Sequence, residues 1–253
     1  MGRTYTIDNF DVEFEIFFGK PQEHYHSLHR SQEGAGQHRD LFKEVDSLTN
    51  EQIRNKYLDE RWYCPAASNL NAEFFNGLAE TKAYHESTQW CFDLYSESCR
   101  ALDYGCGHSF VGLMLALHGY QTTLADIPSK YFKFLEYICP KVGISTVDFI
   151  PIKTERDLID MYDFMVCADV LEHVWEPVEV LRHLIEHLKP GGHIWLMPFF
   201  DHMESPEFPN GVDPSHLKRN TWRYQEVAKW VKIVDDLGLE SLDPGLNHKY
   251  RKR

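Results

Sequence analysis

Asp103 and Asp126 are the two side chains best suited to grip a ligand, because each stands at or near the end of a short apolar run. Asp103 leads into Gly105-Cys106-Gly107, within Arg100-Ala-Leu-Asp-Tyr-Gly-Cys-Gly-His-Ser109. Two glycines one residue apart let the backbone pass close to a ligand, since no Cβ intervenes. A helix is expected from about Ser109, with Phe110, Val111, Leu113, Met114, Leu115 and Leu117 as its apolar body. Its first N–H groups, which have no partner inside the helix, would lie beside that ligand. Asp126 closes the run Thr122-Thr-Leu-Ala-Asp126. A carboxylate there can accept hydrogen bonds from both hydroxyls of a ribose, as in dinucleotide sites. The competing use of such an acid is to cap the helix that follows it. The dinucleotide fingerprint needs Gly or Ala three residues after its second glycine. Phe110 fills that place, and its bulk blocks the approach of a pyrophosphate.

These residues need a scaffold, and the second part of the chain reads as one. From about residue 100, short apolar runs alternate with helical stretches, the pattern of a doubly wound α/β sheet. The expected strands are 101–104, 122–126, 146–150, 163–167 and 193–197. Helices are expected from about Ser129 to Pro140 and from Glu176 to Leu188, with Pro177 in the first turn where its missing N–H costs nothing. Pro190-Gly191-Gly192 reads as a turn, and 198–220 as a long loop. A last amphipathic helix over about Arg223 to Leu237 has Val227, Trp230, Val231 and Val234 as its buried stripe. Residues 239–242 and the last six would add two closing strands. Residues 1–98 lack this rhythm. Within them 11–18 alternates like a strand, while 51–60 and 79–98 look helical. We read 1–98 as a mainly helical cap or lid that recognises the acceptor, in front of a core over 99–253.

Composition narrows the function classes. The 253 residues are 43% hydrophobic and 26% charged, ordinary for a globular protein. No apolar run reaches membrane-spanning length, and the first residues show no signal-peptide apolar stretch. The six cysteines form no C-x-x-C pair, so a zinc ribbon or redox motif is not expected, and reduced thiols in the cytoplasm are. A net charge of −13 argues against a broad phosphate-binding surface and against nucleic acid as a partner. The basic ending 248–253 is local and reads as a solvated strand or tail.

Asp103-x-Gly105-Cys106-Gly107, Asp126, Tyr162-Asp-Phe-Met-Val-Cys-Ala-Asp-Val-Leu-Glu-His-Val174 and Leu188-Lys-Pro-Gly-Gly192 occur in that order. Together they resemble the class I S-adenosylmethionine (SAM) dependent methyltransferases, in their small-molecule branch. The similarity covers 100 to about 198 well, 216–242 loosely, and the first 80 residues not at all. It implies a mostly parallel, seven-stranded Rossmann-like sheet with SAM as cofactor. Gly105, Cys106 and Gly107 would line the methionine moiety, with Asp103 near its amino group. Asp126 would hold the ribose and Ile127 would pack on the adenine. Ala168 and Asp169 would face the methionine part or the acceptor. Ser109 stands where many members carry a third glycine. The usual acid after the third strand is absent at Pro151-Ile152, with Asp148 just upstream.

A methyl on a sulfonium is already activated, so the protein mainly aligns the acceptor and excludes water. A hydroxyl or ammonium acceptor also needs a base. His173, just past the fourth strand, and His216, in Asp213-Pro-Ser-His-Leu, are the candidates. Either is equally readable as a packing or capping residue. Tyr84, His85, Trp175 and Phe199 are candidate walls of the acceptor pocket. Asp201, His202, Asp213 and His216 share one loop, but without a recognised ligand spacing no metal is expected. Histidines 24, 26, 29 and 38 read as solvated. Methyl transfer to the oxygen or nitrogen of a small molecule is the expected activity. A non-catalytic SAM-binding partner protein and a methyltransferase acting on a macromolecule are its rivals.

Overall fold

The computed structural model describes residues 7–21, 24, 48–58, 82–107, 109–141, 143–154, 157–197, 200–201, 222–223, 227–243 and 248–253. Five parallel strands form the frame: β1 (Arg100–Tyr104), β2 (Gln121–Asp126), β3 (Val147–Pro151), β4 (Tyr162–Ala168) and β5 (Leu188–Met197). A short pair, β6 (Phe200–Asp201) and β7 (Trp222–Arg223), stands apart. The antiparallel strands β8 (Leu239–Ser241) and β9 (Lys249–Lys252) close the main sheet, in the order β3-β2-β1-β4-β5-β9-β8. This is the expected seven-stranded, doubly wound sheet, and the polar last residues do form a strand. The order reverses between β1 and β4, so their carboxyl ends diverge and open a crevice there.

The helices are α1 (Ile7–Phe18), α2 (Asn50–Tyr57), α3 (Lys82–Leu94), α4 (Phe110–Leu117), α5 (Lys130–Ile138), α6 (Pro177–His187) and α7 (Val227–Asp236). Alternation along the strands sends side chains to two faces. Leu102, Tyr104, Met165, Cys167, Ile194 and Leu196 meet α6 and α7 through Leu181, Leu184, Trp230 and Val234. On the opposite face, Ala101, Phe164, Val166 and Trp195 meet α3 and α4 through Trp90, Cys91, Phe110 and Leu115. α5 continues that layer over Leu124 of β2.

Several boundaries differ from the sequence reading, and the helix expected over 79–98 ends at Leu94. Residues 11–18 are helical, not a strand: Phe14 and Phe18, four apart, both pack on Phe134 of α5, with ring centroids 5.5 and 5.1 Å away. Alternation and helical spacing coincide over so short a run, and this contact decides between them. Pro190-Gly191-Gly192 lies inside β5, where three extra residues bulge between the pairs Tyr162↔Leu188 and Phe164↔His193. Trp222-Arg223 belongs to a short strand, so the last helix starts at Val227.

The N-terminal helices share the core of the α/β layer. Glu13 accepts hydrogen bonds from Tyr137 Oη (2.5 Å) and Lys141 Nζ (2.8 Å) of the α5 region. α3 runs back along the sheet, with Trp90 edge-on to Phe164 at 5.5 Å. At its far end Tyr95 Oη donates to the carbonyl of Asp163, at the start of β4 (2.8 Å). Its first turn, which carries Tyr84 and His85, therefore stands toward the carboxyl ends of the strands. The side chains of those two residues lie outside the described residues.

Candidate active site

The crevice is built where β1, β2 and β4 end. Leaving β1, the chain turns at Gly105 and Gly107, whose φ angles are +66° and +45°. Gly105 and Cys106 donate backbone hydrogen bonds to the carbonyl of Ala125 (2.8 and 3.2 Å), pinning the turn to β2. A Cβ on Gly105 would stand 2.4 Å from Cγ2 of Val170, just past β4. One on Gly107 would meet only the Gly105 carbonyl, at 3.9 Å, so the turn is open on that side. That opening is the feature a closely bound ligand needs. The third small residue expected in this turn is Ser109, which holds φ +55° at the start of α4 and is buried.

Both acids stand at this turn. Asp126 Oδ2 accepts from Gly107 N (2.7 Å) and Oδ1 from Ile127 N (2.6 Å). Each carboxylate oxygen has two acceptor positions, so these bonds leave capacity for a further donor at each. Helix α5 is capped by Ser129, whose Oγ accepts from Phe132 N. Asp126 is therefore not the helix cap, which removes the main competing explanation for it. Asp103 is buried under α4: its Oδ2 accepts from Gly112 N (2.9 Å) and Ser109 Oγ (3.5 Å). The absent Cβ of Gly112 makes that possible, since one would lie 2.3 Å from Leu124 Cδ2 and 2.9 Å from Asp103 Oδ2. Burial raises the Asp103 carboxyl to about 7, with the nearby Asp126 charge adding to the effect. Burial raises Asp126 to about 6, against the pull of its backbone donors. Burial likewise raises the Cys106 thiol, so Cys106 is neutral and packs with Leu113.

A model of the methyltransferase domain matches residues 50–242. The chain belongs to the class I SAM-dependent methyltransferases. It is 27% identical over 136 residues to the ubiquinone biosynthesis O-methyltransferase of Chromobacterium violaceum, covering 51% of this chain and 58% of that protein. The chain thus spans less than two thirds of that relative's length. Among solved structures it is similar to mitomycin 7-O-methyltransferase MmcR, at TM-score 0.56 and 14% identity, over 99% of this chain and 72% of that one. It also resembles 1,6-didemethyltoxoflavin-N1-methyltransferase of Burkholderia thailandensis, solved with bound S-adenosylhomocysteine. There the TM-score is 0.50 and the identity 15%, over 74% of this chain and 86% of that one. These distant structural likenesses show the fold alone.

As a class I methyltransferase, the chain has SAM as the cofactor to be fitted. The open side of Gly107 and the buried acids fit a cationic ligand with a ribose. The remaining residues named from the sequence fall in two groups. Ala168 ends β4, and Asp169 follows with φ +53°, its N–H donating to Met197 O (3.2 Å) at the end of β5. His173 is half-buried in the turn after β4, its N–H on the Val170 carbonyl at 2.9 Å. Trp175 and Ile127, from opposite sides of the crevice, both pack against the cluster that contains Cys106. The structure therefore brings Asp103, the glycine turn, Asp126, Ile127, Ala168, Asp169, His173 and Trp175 to one end of the sheet. Phe199, His202, Asp213 and His216 lie outside the described residues, as does the side chain of Asp201.

The helix expected over 51–60 is α2, Asn50–Tyr57, but its packing and Gly112 were not foreseen. Ile53 of α2 is buried in the Cys106 cluster. The local signal for α2 was Thr49-x-x-Gln52, a capping box in which each side chain bonds the other's backbone N–H (3.3 and 2.8 Å). Gly112 had no signal of its own in a sequence without its partner contacts.

Proposed function

We propose that this protein is an enzyme that transfers the methyl group of SAM to an oxygen or nitrogen of a small-molecule acceptor. The observation that carries the reading is the pair of buried carboxylates, Asp103 and Asp126, at an open glycine turn where the sheet order reverses. SAM brings a sulfonium and an ammonium, and two acids in a low-dielectric site favour such cations. The same pair repels the pyrophosphate of NAD, and Phe110 is buried in the core where that cofactor needs a small residue.

Asp126 would accept from the ribose hydroxyls while its other positions hold Gly107 and Ile127. Gly105, Cys106 and Gly107 would line the methionine part, and Asp103 would face its ammonium. Ile127 would pack on the adenine. When bound, SAM supplies an electrophilic methyl, so the chain's own work is alignment, water exclusion and proton removal. His173 is proposed as the base and Trp175 as an acceptor wall, with Ala168 and Asp169 between them and the turn. His216, Tyr84, His85 and Phe199 complete the proposed acceptor side. Residues 1–98 act as the cap in this reading and 99–253 as the catalytic core. The name of the Chromobacterium relative favours oxygen as the methylated atom, and the net charge of −13 favours a small acceptor over nucleic acid. No helix among the described residues is long and apolar enough to cross a membrane, and a cytoplasmic location with reduced cysteines is proposed.

Calorimetry with SAM, S-adenosylhomocysteine and NAD tests the cofactor. We expect binding of the first two and none of NAD; NAD binding without SAM binding refutes the reading. Transfer of radiolabelled methyl to a panel of small hydroxyl- and amine-bearing acceptors then tests the activity. His173→Gln should lower kcat while leaving SAM affinity in place. Cofactor binding with no transfer to any acceptor would instead support a non-catalytic partner protein.

A further inference from the structure

Arg54 ties helix α2 to the segment that leaves β3. The guanidinium of Arg54 donates from Nη1 to the carbonyl of Lys153 and from Nη2 to that of Ile152. Those carbonyls belong to the segment that leaves β3, ninety-eight and ninety-nine residues further along the chain. That segment is shaped to receive a cation. Asp157 accepts from Lys153 N (2.5 Å), Thr154 N (2.9 Å) and Thr154 Oγ1 (2.6 Å), tying these residues to it. The Asp157 carboxyl is held below its ordinary value by these donors and by the Arg54 charge. The segment is also tied to the proposed ribose acid, since Ile152 N donates to the backbone carbonyl of Asp126 (2.7 Å). Beside Arg54, Ile53 is buried in the cluster that holds Cys106, against which Ile127 and Trp175 pack. One turn of α2 thus joins a buried side chain in the cluster that holds Phe14, Phe18 and Phe134 to a polar contact with the segment that leaves β3.

We propose that Arg54 is a positioning residue that latches α2 to the β3 side of the cofactor crevice and sets how fast the cofactor nucleoside exchanges. This rests on the SAM-binding reading above. A planar guanidinium holds two carbonyls at once, which an ammonium does not. Opening the rim must break both bonds and expose Ile53. Because the same bonds are made in the cofactor-free protein, entry and release both wait on that opening.

The test compares wild type with Arg54→Met and Arg54→Lys. Dissociation of S-adenosylhomocysteine is followed by stopped-flow fluorescence, with hydrogen exchange of the cofactor-free protein beside it. Hydrogen bonds to a charged group are worth roughly ten- to a hundredfold in an equilibrium. Arg54→Met should accelerate dissociation by about tenfold or more, with association accelerated in the same direction and the affinity within about threefold of wild type. Arg54→Lys, with one carbonyl contact at a time, should lie between. In the cofactor-free protein, amides of residues 50–58 and 152–154 should exchange faster, while those of β1 stay protected. Should Arg54→Met fail to fold, the lysine variant alone decides. A folded variant with unchanged dissociation and unchanged exchange overturns the latch. Failure of wild type to bind S-adenosylhomocysteine overturns the cofactor reading instead, and exchange in the free protein still judges whether Arg54 fastens the rim.

Discussion

Replacing Asp103 by Asn should make the cofactor-free protein more stable at neutral pH while weakening its hold on SAM. The acid is buried, and its folded-state value stands at about 7 against an ordinary 3.8. The sign follows from the raised value. Below about pH 4 the carboxyl is protonated whether the chain is folded or not, and its burial costs nothing extra. As pH rises toward 7 the unfolded chain sheds this proton and the folded chain resists, so the wild type loses stability throughout that window. Above about pH 7 the loss levels off. At about 1.36 kcal/mol per pKa step, the full effect approaches roughly 4 kcal/mol as an upper bound. For a chain of this size that corresponds to a Tm about 5 to 15 °C higher in the variant at pH 8, and nearly equal values at pH 4. Asn keeps an oxygen for the Gly112 N–H, so the tie between β1 and α4 survives the change. Glu13 and Asp160, whose values are lowered by hydrogen bonds from Lys141 and Arg100, respond oppositely to acid. They do so in both proteins and cancel in the difference. Thermal melts from pH 4 to 8, with and without SAM, read the result. Saturating SAM should shrink the variant's advantage, because the bound cation favours the ionised acid. Parallel curves for the two proteins across that range would refute the assignment of a costly buried charge to Asp103.

Asp126→Ala should weaken SAM and S-adenosylhomocysteine roughly ten- to a hundredfold in calorimetry, the worth of a charge-assisted pair of bonds. The circular dichroism should be unchanged because Ser129, not Asp126, caps α5; unaltered affinity would reduce Asp126 to a backbone tie. Gly105→Ala should abolish detectable binding, since its Cβ would stand 2.4 Å from Val170 Cγ2 at φ +66°. Adding Val170→Ala should restore binding only in part, leaving about 1–2 kcal/mol for the left-handed backbone; full binding by the single variant would show that the turn is not held as described.

The frame of the fold was legible because buried parallel strands and their helices announce themselves locally. β1, β2 and β4 are short apolar runs ended by Gly, Asp or Ala-Asp, and Pro177, Ser129 and Gly238 mark helix ends by their own chemistry. What was misread depended on a partner distant in sequence. Residues 11–18 place Phe14 and Phe18 four apart but also alternate apolar with acidic residues. Partners more than a hundred residues away, Phe134 with Tyr137 and Lys141, select the helix. The bulge in β5 is similar, since Pro190-Gly191-Gly192 is a turn signal that β4 absorbs into its edge.

The site divides along the same line. Asp103, the two glycines and Asp126 were visible because each stands within a few residues of a strand end. The structure adds that both acids grip backbone N–H groups, of Gly112, Gly107 and Ile127, which no spacing rule contains. Arg54 marks the limit of local reading. In the sequence it is one more charged residue on a short polar helix, indistinguishable from Lys56 two places on. Its acceptors are carbonyl groups, which every residue possesses, so side-chain type gives no hint of the match. Such a residue becomes visible only once the sheet has carried the end of β3 to the side of α2. The parts of a site that recognise chemistry are written in residue types, whereas the parts that close it are written in distances.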